Sequence, residues 1–317
     1  MDCPACGTTR IDRQVLQRHN RYRLYQCGRC GVQFWWPTKH PGAAWYAECD
    51  IYGGRLFGAN RSRTYWNHRQ FLMEPPAGGE LLDVACGEGA FLAAAQRAGY
   101  RVNGIDFDAD AVRIARESMG LERVWPVSVD DFLAGTQRRF DVITFFELLE
   151  HLDNPRKFLL SIKRLLRPGG HIALSVPNRR RWSRIVNLAE IDLPPHHLTR
   201  WDAEGLTAFL DLVGFDVVTI RQQQMDTEGM VSVLHYMMPY RILWQRGGKL
   251  LAKHGRASRG ETAHLAEKAF IRGMRVLRAA HRLALVPAAA MTAWILRRRG
   301  QLGLGLYACA KLRNDPQ

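Results

Sequence analysis

The chain has 317 residues, 47% of them hydrophobic and 24% charged, which excludes wholesale disorder, a collagen-like chain and a coiled coil. Lysine and arginine (45) exceed aspartate and glutamate (30), so the formal net charge is +15. This excess favours a polyanionic partner, whether nucleic acid, anionic lipid head groups or a phosphorylated small molecule. The N-terminus has no apolar signal segment, and no apolar run is long enough for a transmembrane helix. We therefore expect a cytoplasmic protein.

The first 37 residues contain two Cys-x-x-Cys pairs, Cys3 with Cys6 and Cys27 with Cys30. Two pairs of this form supply four thiolates for a tetrahedral zinc ion, which predicts a zinc-ribbon module over residues 1–37. Four cysteines leave no open coordination position, so the expected role of zinc is structural: it supplies folding free energy to a module too small to bury a core. The arginines between the pairs indicate either a solvated face or a nucleic-acid surface.

Residues 38–76 are rich in Tyr, Trp and Gly and are predicted to be a linker with cap helices. Residues 77–225 alternate apolar runs with helix-like stretches, which predicts βαβ units and an α/β fold with a doubly wound parallel sheet. The strand-like run 303–312, within a final segment 301–317, is predicted to return to the sheet as an antiparallel neighbour of a strand at 215–220. The other predicted strands are at 81–85, 101–106, 140–146 and 171–176. The predicted helices are at 88–98, 109–119, 155–167 and 202–213.

A basic segment, residues 226–300, separates the last two predicted strands. It contains 14 Lys and Arg but only 4 Asp and Glu. Arg272, Arg275, Arg278 and Arg282 recur three or four residues apart, which places them on one face of an amphipathic helix. We expect a helical insertion that acts as a lid, contacts a second copy of the chain, or lies on an anionic membrane surface at the inner face of the membrane. Nucleic-acid binding is the weaker alternative.

A glycine-rich turn follows the first predicted strand of the 77–225 region, in the stretch LLDVACGEGAFL (81–92). Glycines in such a turn let backbone N–H groups approach a ligand closely, with a helix N-terminus behind them. Asp83 lies at the end of that strand, and Asp106 ends the next strand. An acid at the second position can accept both hydroxyls of a ribose.

This Asp-x-Ala-x-Gly-x-Gly stretch resembles the first motif of class I S-adenosylmethionine (SAM)-dependent methyltransferases, with Ala85 where the family usually has glycine. GIDFD (104–108), VDDF (129–132), FDVITFFELLEHLDNP (140–155) and LLRPGGHIALSVPN (165–178) resemble its later motifs, in the family's order. The resemblance covers roughly 78–222 and 303–312 and implies a Rossmann-like fold that binds SAM. The cofactor-binding residues that it implies are Asp83, Ala85, Gly87, Gly89, Asp106, Phe107, Asp130, Asp131, Phe146 and Glu147.

Within that set, the resemblance implies that Asp106 binds the ribose and that Asp130 or Asp131 contacts the adenine amino group. Carbonyls and aromatic faces at the end of the fourth strand can stabilise a sulfonium, and the candidates there are Phe145, Phe146 and Glu147. For the two phenylalanines, ordinary core packing is the alternative.

Three histidines are candidate general bases for the acceptor's proton, because histidine titrates near neutral pH. His151 follows the fourth strand, while His196 and His197 lie in DLPPHHLTRWD (192–202). That stretch resembles the substrate loop of methyltransferases that act on sugars, quinones and other small metabolites. We favour His197 slightly, and a structural role is the alternative for each.

The leading hypothesis is therefore methyl transfer from SAM to a small-molecule acceptor: a sugar, a polysaccharide precursor or a lipid-linked metabolite, whose phosphates would suit the positive charge. The alternative is an RNA methyltransferase that uses the zinc ribbon and the basic surface to hold phosphates. The sequence FELL (146–149) stands where amino-group methyltransferases carry an Asn/Asp-Pro-Pro-Tyr/Phe motif, and there is no Pro-Cys pair of the cytosine-C5 type. A non-enzymatic adaptor with a vestigial SAM fold is the third hypothesis.

Overall fold

The computed structural model describes residues 1–42, 45, 64–76, 78–181, 192–224, 227, 230–231, 234, 272, 280–298 and 303–314. The chain forms two compact units. One comprises Met1–Arg180, Leu188–Gln223 and Leu304–Gln317, and the other comprises Arg181–Asn187 and Gln224–Gly303. Most of the basic segment 226–300, including Arg275 and Arg278 of its predicted face, lies outside the described residues.

A seven-stranded sheet forms the centre of the first unit, in the order β10-β11-β8-β7-β4-β5-β6. Strands β4 to β8 run parallel to their neighbours, and β11 runs antiparallel to β8. The predicted α/β fold with a terminal antiparallel strand beside 215–220 is thus confirmed. The strand bounds are β4 Glu80–Val84, β5 Arg101–Asp106, β6 Val124–Pro126, β7 Phe140–Phe146, β8 Leu166–Pro177, β10 Phe215–Gln224 and β11 Gly303–Leu312.

Helices of this unit begin and end at recognisable capping residues. The Asp108 carboxylate accepts from the backbone N–H of Asp110 at 2.9 Å, and Asp202 accepts from that of Gly205 at 2.9 Å; each cap satisfies a donor that the first turn leaves unpaired. Gly120 and Gly214 end helices in the left-handed region, as is usual at helix C-termini. The helices are α1 Trp66–Met73, α2 Ala90–Arg97, α3 Ala109–Met119, α4 Val129–Gly135, α5 Pro155–Leu165 and α6 Ala203–Val213, with a 3₁₀ turn Leu149–His151.

A second, four-stranded sheet combines three strands of the N-terminal module with one strand from the methyltransferase-like region. Its order is β1-β2-β3-β9, with β1 Ile11–His19, β2 Tyr22–Cys27, β3 Gln33–Trp36 and β9 Thr199–Arg200. Strand β9 pairs antiparallel with β3 and lies within the predicted substrate loop, residues 192–202, just after its two histidines. No local sequence pattern predicts this pairing.

The N-terminal module packs into the same hydrophobic core as the large sheet. Val32 and Phe34 of the module belong to one cluster of buried side chains with Trp201, Phe209 and Phe215. Phe34, Trp201 and Phe209 are fully buried, and burying a side chain of this size stabilises the fold by roughly 2–3 kcal/mol each. The module is therefore fixed to the core by apolar packing as well as by strand pairing.

In the second unit, helix α7 spans Val286–Arg298. No helix among the described residues combines the length and the apolarity that crossing a membrane requires.

Candidate active site and cysteine metal site

The glycine turn after β4 leaves an open space above its backbone. The chain passes through the left-handed region at Ala85 (φ 60°), Gly87 (φ 53°) and Gly89 (φ 81°). A Cβ atom on Gly87 would meet nothing within 4 Å, whereas one on Gly89 would lie 2.4 Å from a Leu121 side-chain atom. Gly89 is therefore required by packing, and Gly87 leaves room for a ligand to approach the backbone.

Ala85 occupies the one left-handed position of this turn that lacks a glycine. A left-handed conformation costs a residue with a Cβ atom roughly 1–2 kcal/mol. Ala85, which stands where the family usually has glycine, therefore strains the backbone next to the candidate ligand site.

Asp106 lies at the end of β5, next to the turn, and both of its oxygens accept backbone hydrogen bonds. The Gly87 N–H donates to Oδ2 at 2.8 Å, and the Asp108 N–H donates to Oδ1 at 2.9 Å. Burial raises the pKa of Asp106, and these hydrogen bonds oppose that rise. A carboxylate has about four acceptor sites, so each oxygen retains capacity for a ligand hydroxyl. The next residue, Phe107, is 61% exposed.

Asp83 lies beneath the turn rather than at its surface. Its side chain is buried, and the Thr144 hydroxyl donates to its Oδ1 at 2.6 Å. Burial raises the pKa of Asp83 to about 8, and the negative charge of Asp106 adds to the effect. At neutral pH this side chain is mostly protonated, so it holds the strand ends together as a neutral group.

A hydrogen-bond network joins the end of β7 to helix α1. Glu147 has a φ of 51°, and its backbone N–H donates to the Ser175 carbonyl at 3.0 Å. The Ser175 hydroxyl donates to Glu147 Oε1 at 2.7 Å, and the Asn67 amide donates to the Ser175 hydroxyl oxygen at 2.8 Å. These contacts fix Glu147 at the carboxyl end of the parallel strands, where ligands of such sheets bind.

Aromatic rings cover the same edge of the sheet. The ring centroids of Phe146 and Phe91 are 5.0 Å apart. The centroid of the His68 ring lies 5.1 Å from that of Phe91 and 5.2 Å from that of Phe146. Burial lowers the pKa of His68 to about 4, and the Tyr65 N–H donates to its Nδ1 at 3.3 Å, so His68 is neutral with its proton on Nε2. Phe145, the other sulfonium candidate, is fully buried against Phe158, as the core alternative expected.

His68 and Asn67 are residues that the sequence analysis missed. Both lie on α1, in the Trp- and Tyr-rich segment before the first strand. Their only local signal is a short helical pattern, and their proximity to β7 and β8 arises from long-range packing.

Asp130 and Asp131 lie in the first turn of α4 and engage neighbouring side chains. Lys157 donates to Asp130 Oδ2 at 2.7 Å, and the Ser161 hydroxyl donates to Oδ1 at 3.0 Å. The Ser128 hydroxyl donates to Asp131 Oδ2 at 2.6 Å. The adenine contact that the resemblance implies for this pair stays a prediction.

The three candidate bases form one cluster. The centroid of the His151 ring lies 4.4 Å from that of His196 and 4.7 Å from that of His197, and the latter two are 4.8 Å apart. Two hydrogen bonds, one from a side chain and one from the backbone, hold the loop that carries His196 and His197 against the 3₁₀ turn. One runs from the His151 ring Nδ1 to the His196 carbonyl (2.9 Å), and the other from the Leu198 N–H to the Glu150 carbonyl (2.7 Å).

Burial and mutual repulsion keep two of these histidines neutral. Burial lowers the pKa of His196 to about 4 and that of His151 well below its usual value, and in each case the neighbouring imidazoles contribute. Two carboxylates border the cluster: Asp192 Oδ1 lies 3.4 Å from His197 Nδ1, and Glu150 Oε1 lies 3.8 Å from His151 Nε2.

The four N-terminal cysteines converge on one point. The Sγ atoms of Cys3 and Cys30 are 3.7 Å apart, and those of Cys6 and Cys27 are 3.5 Å apart. All four thiols are free and buried, and their sulfurs lie within 4.8 Å of one another. Zinc–sulfur bonds of about 2.3 Å in a tetrahedron place sulfurs roughly 3.8 Å apart, so the set fits Zn²⁺.

The turns of the two Cys-x-x-Cys pairs share one geometry. Gly7 and Gly31 adopt φ values of 73° and 72°, and their N–H groups donate to the carbonyls of Cys3 and Cys27. The Arg29 N–H donates to the Cys27 sulfur at 3.3 Å. The paired turns and the N–H group that donates to the Cys27 sulfur support a cysteine ligand set.

The sheet order and the glycine turn with its strand-terminal acid define the class I SAM-dependent methyltransferases. The protein family described as "Methyltransferase domain" matches residues 57–220, and the chain belongs to this family.

Curated relatives with similar sequences are ubiquinone biosynthesis O-methyltransferases. That of Thiobacillus denitrificans is 36% identical over 116 residues, covering 35% of this chain and 50% of the relative. That of Alkalilimnicola ehrlichii is 35% identical over 191 residues, covering 54% and 76%. The chain spans about half the length of the Thiobacillus and Proteus mirabilis relatives. A solved SAM-dependent methyltransferase from Archaeoglobus fulgidus is 17% identical, covers 82% of this chain and 98% of its own, and has a TM-score of 0.49.

Proposed function

We propose that this protein transfers a methyl group from SAM to a hydroxyl oxygen of a small-molecule acceptor. The observation that carries the proposal is the pairing of Asp106 with the open turn at Gly87, at the carboxyl ends of β4 and β5. The names of the curated relatives, which are O-methyltransferases of a small molecule, support oxygen as the methylated atom.

The described residues fit SAM. Asp106 has acceptor capacity for the ribose hydroxyls, and Gly87 leaves its backbone accessible to the donor. Phe107 offers an exposed ring next to Asp106, and Phe146 with Glu147 borders the position of the sulfonium. When bound there, SAM supplies an electrophilic methyl group, so the protein's task is to orient the acceptor and to manage its proton.

The histidine cluster would handle that proton. We assign the base to His197, because Asp192 lies 3.4 Å from its Nδ1 and would stabilise the protonated ring. The acceptor's hydroxyl proton would then pass to Nε2, while the acceptor's oxygen forms a bond to the methyl carbon and the bond from that carbon to the donor's sulfur breaks, which leaves a neutral thioether. His151 and His196, with lowered pKa values, would orient the loop as neutral groups.

For the acceptor we propose a sugar, a polysaccharide precursor or a lipid-linked metabolite, at the inner membrane face in the last case. The net charge of +15 favours an acceptor that carries phosphate or another anionic group. The names of the curated relatives point to a quinone-type metabolite, which is also a small-molecule acceptor.

Methyl-labelled SAM would test this function. The protein is incubated with labelled SAM and with host extract divided into RNA, protein, lipid and small-metabolite fractions, and Asp106→Ala serves as the control. We expect label in the lipid or small-metabolite fraction with the wild type and a large loss of label with the variant. Label confined to RNA would overturn the proposal and make the zinc ribbon the substrate-recognition module.

A further inference from the structure

We infer that His151, His196 and His197 form a binding site for a divalent transition-metal ion such as Zn²⁺, separate from the four-cysteine site. Each histidine offers one ring nitrogen, and the three nitrogens lie within 4.8 Å of one another. This inference concerns binding alone and does not require the proposed methyl transfer.

The spacing is close to that of a metal site before the ion enters. Three imidazoles around a tetrahedral Zn²⁺, with zinc–nitrogen bonds of about 2.0–2.1 Å, have their nitrogens roughly 3.4 Å apart. The present nitrogens, all within 4.8 Å of one another, lie at most about 1.4 Å farther apart than that value. Three imidazoles suit Zn²⁺, Cu²⁺ or Ni²⁺, whereas Mg²⁺ and Ca²⁺ prefer oxygen ligands.

In two of the three rings, the neighbours of Nδ1 leave Nε2 for the ion. His151 Nδ1 lies 2.9 Å from the His196 carbonyl oxygen, and a carbonyl can only accept, so the proton is on Nδ1 and the Nε2 lone pair is available. Asp192 Oδ1 lies 3.4 Å from His197 Nδ1, so a carboxylate also borders the Nδ1 side of that ring and leaves Nε2 for a ligand. Hydrogen bonds from the remote ring nitrogen to a carbonyl or a carboxylate are typical of histidine metal ligands.

The charge distribution also suits a cation. Glu150 is buried with Oε1 3.8 Å from His151 Nε2, and Asp192 borders the other side. Two carboxylates beside three imidazole ligands would balance a 2+ charge.

The ligands are held by ordered backbone rather than by a loose loop. The Leu198 N–H donates to the Glu150 carbonyl at 2.7 Å, and the Trp35 N–H donates to the Leu198 carbonyl at 2.9 Å. The Thr199 hydroxyl donates to the Leu149 carbonyl at 3.0 Å. These bonds fix the histidine loop to the 3₁₀ turn and to strand β3, so the ligand set exists before the metal binds.

Metal binding would exclude proton transfer at one ligand. The Nε2 lone pair of His197 that holds an ion cannot accept the acceptor's proton, so Zn²⁺ at this site would suppress a methyl transfer that uses His197 as the base. This consequence follows only if both proposals hold.

Cobalt titration of the full-length protein would test the site. The protein is first loaded with one equivalent of Zn²⁺, which the thiolates take preferentially, and is then titrated with Co²⁺ in the absence of SAM and acceptor. Bound metal per chain is counted by mass spectrometry, and the visible absorption of Co²⁺ identifies its ligands. We expect one further equivalent, without the intense thiolate-to-cobalt bands of a cysteine site.

Variants identify the ligands and provide the control. We expect His151→Ala, His196→Ala and His197→Ala each to lose the second equivalent, and Asp192→Asn to weaken it by about 10- to 100-fold. His171→Ala, on strand β8 and outside the cluster, should retain it, and circular dichroism establishes that each variant is folded. A wild type that binds only the first ion, or folded cluster variants that all keep the second, would overturn the inference. This experiment measures metal binding and not methyl transfer, so a protein without methyltransferase activity would still test the metal site.

Discussion

Replacing Asp106 by alanine tests the donor site at the residue where the sequence and the structure agree most closely. In the structure each carboxylate oxygen of Asp106 accepts one backbone hydrogen bond: Oδ2 from the Gly87 N–H and Oδ1 from the Asp108 N–H. Its remaining acceptor capacity would serve a ribose hydroxyl at the turn, where a Cβ atom on Gly87 would meet nothing within 4 Å.

The expected change in the Kd for SAM follows from the hydrogen bonds that Asp106 would make to the ribose. A hydrogen bond to a charged group contributes about 1.5–3 kcal/mol, so losing one ribose contact raises the Kd for SAM roughly 10- to 150-fold. The loss of the Gly87 contact also loosens the turn, which adds to the effect. Asp106→Asn keeps one acceptor oxygen but loses the charge, so we expect an intermediate Kd.

Isothermal titration with SAM, without any acceptor, measures the effect directly. The matched control is Asp108→Ala, which removes the N-cap of α3 and costs about 1 kcal/mol of folding free energy but leaves both Asp106 oxygens in place. We expect the control to bind SAM nearly as well as the wild type. If Asp106→Ala bound SAM with wild-type affinity while remaining folded, the assignment of the donor site would be wrong.

Four further predictions address the other parts of the molecule. The raised pKa of Asp83, about 8 against an ordinary value of 3.8, means that the unfolded chain loses this proton first as pH rises. Its contribution to the free energy of unfolding should therefore be greatest below about pH 4 and fall by up to about 1.4 kcal/mol per pH unit toward pH 8. Urea unfolding at stepped pH should show a shallower slope for Asp83→Asn, and an unchanged slope would contradict the raised pKa. Ala85→Gly should raise the free energy of unfolding by about 0.5–1 kcal/mol, because relief of left-handed strain exceeds the added chain entropy; a destabilised variant would argue against strain there. Cys27→Ser should lower the zinc content by one equivalent per chain and destabilise the N-terminal module, and unaltered zinc content would refute the ribbon. His197→Gln should lower kcat by about 100-fold or more with little change in the Kd for SAM, whereas an unchanged kcat would remove His197 as the base.

The central sheet was predictable because its signals are local. The predicted strands at 101–106 and 140–146 coincide with β5 and β7, and each of the four helices predicted within residues 77–225 overlaps an observed one. Strand β6 was missed because its three residues are too short to show alternation. Strand β9 was missed because its two residues pair with β3, far away in the sequence, and no local pattern encodes that partner.

The candidate site divides in the same way. Asp106 and Gly87 follow consecutive strands of a parallel sheet, so their proximity follows from the fold class alone. The contacts of His68 and Asn67 depend on how α1 packs across the end of β7, which the sequence does not indicate. The sequence presented His151, His196 and His197 as alternatives, whereas the structure brings all three rings together.

The N-terminal module pairs, through strand β3, with the chain segment that carries the histidine cluster. Strand β3 pairs with β9 through Phe34 and Thr199, and the Trp35 N–H donates to the Leu198 carbonyl, one residue after His197. Strand β3 begins just after Cys30, so an ion bound by the cysteines would order the strand that anchors the histidine loop. Loss of that ion should therefore disturb the acceptor side of the site more than the glycine turn, because Gly87 and Asp106 are held by β4 and β5 instead. A chelated protein that kept its SAM affinity but lost turnover would show this separation, and a parallel loss of both would show that the ribbon supports the whole unit.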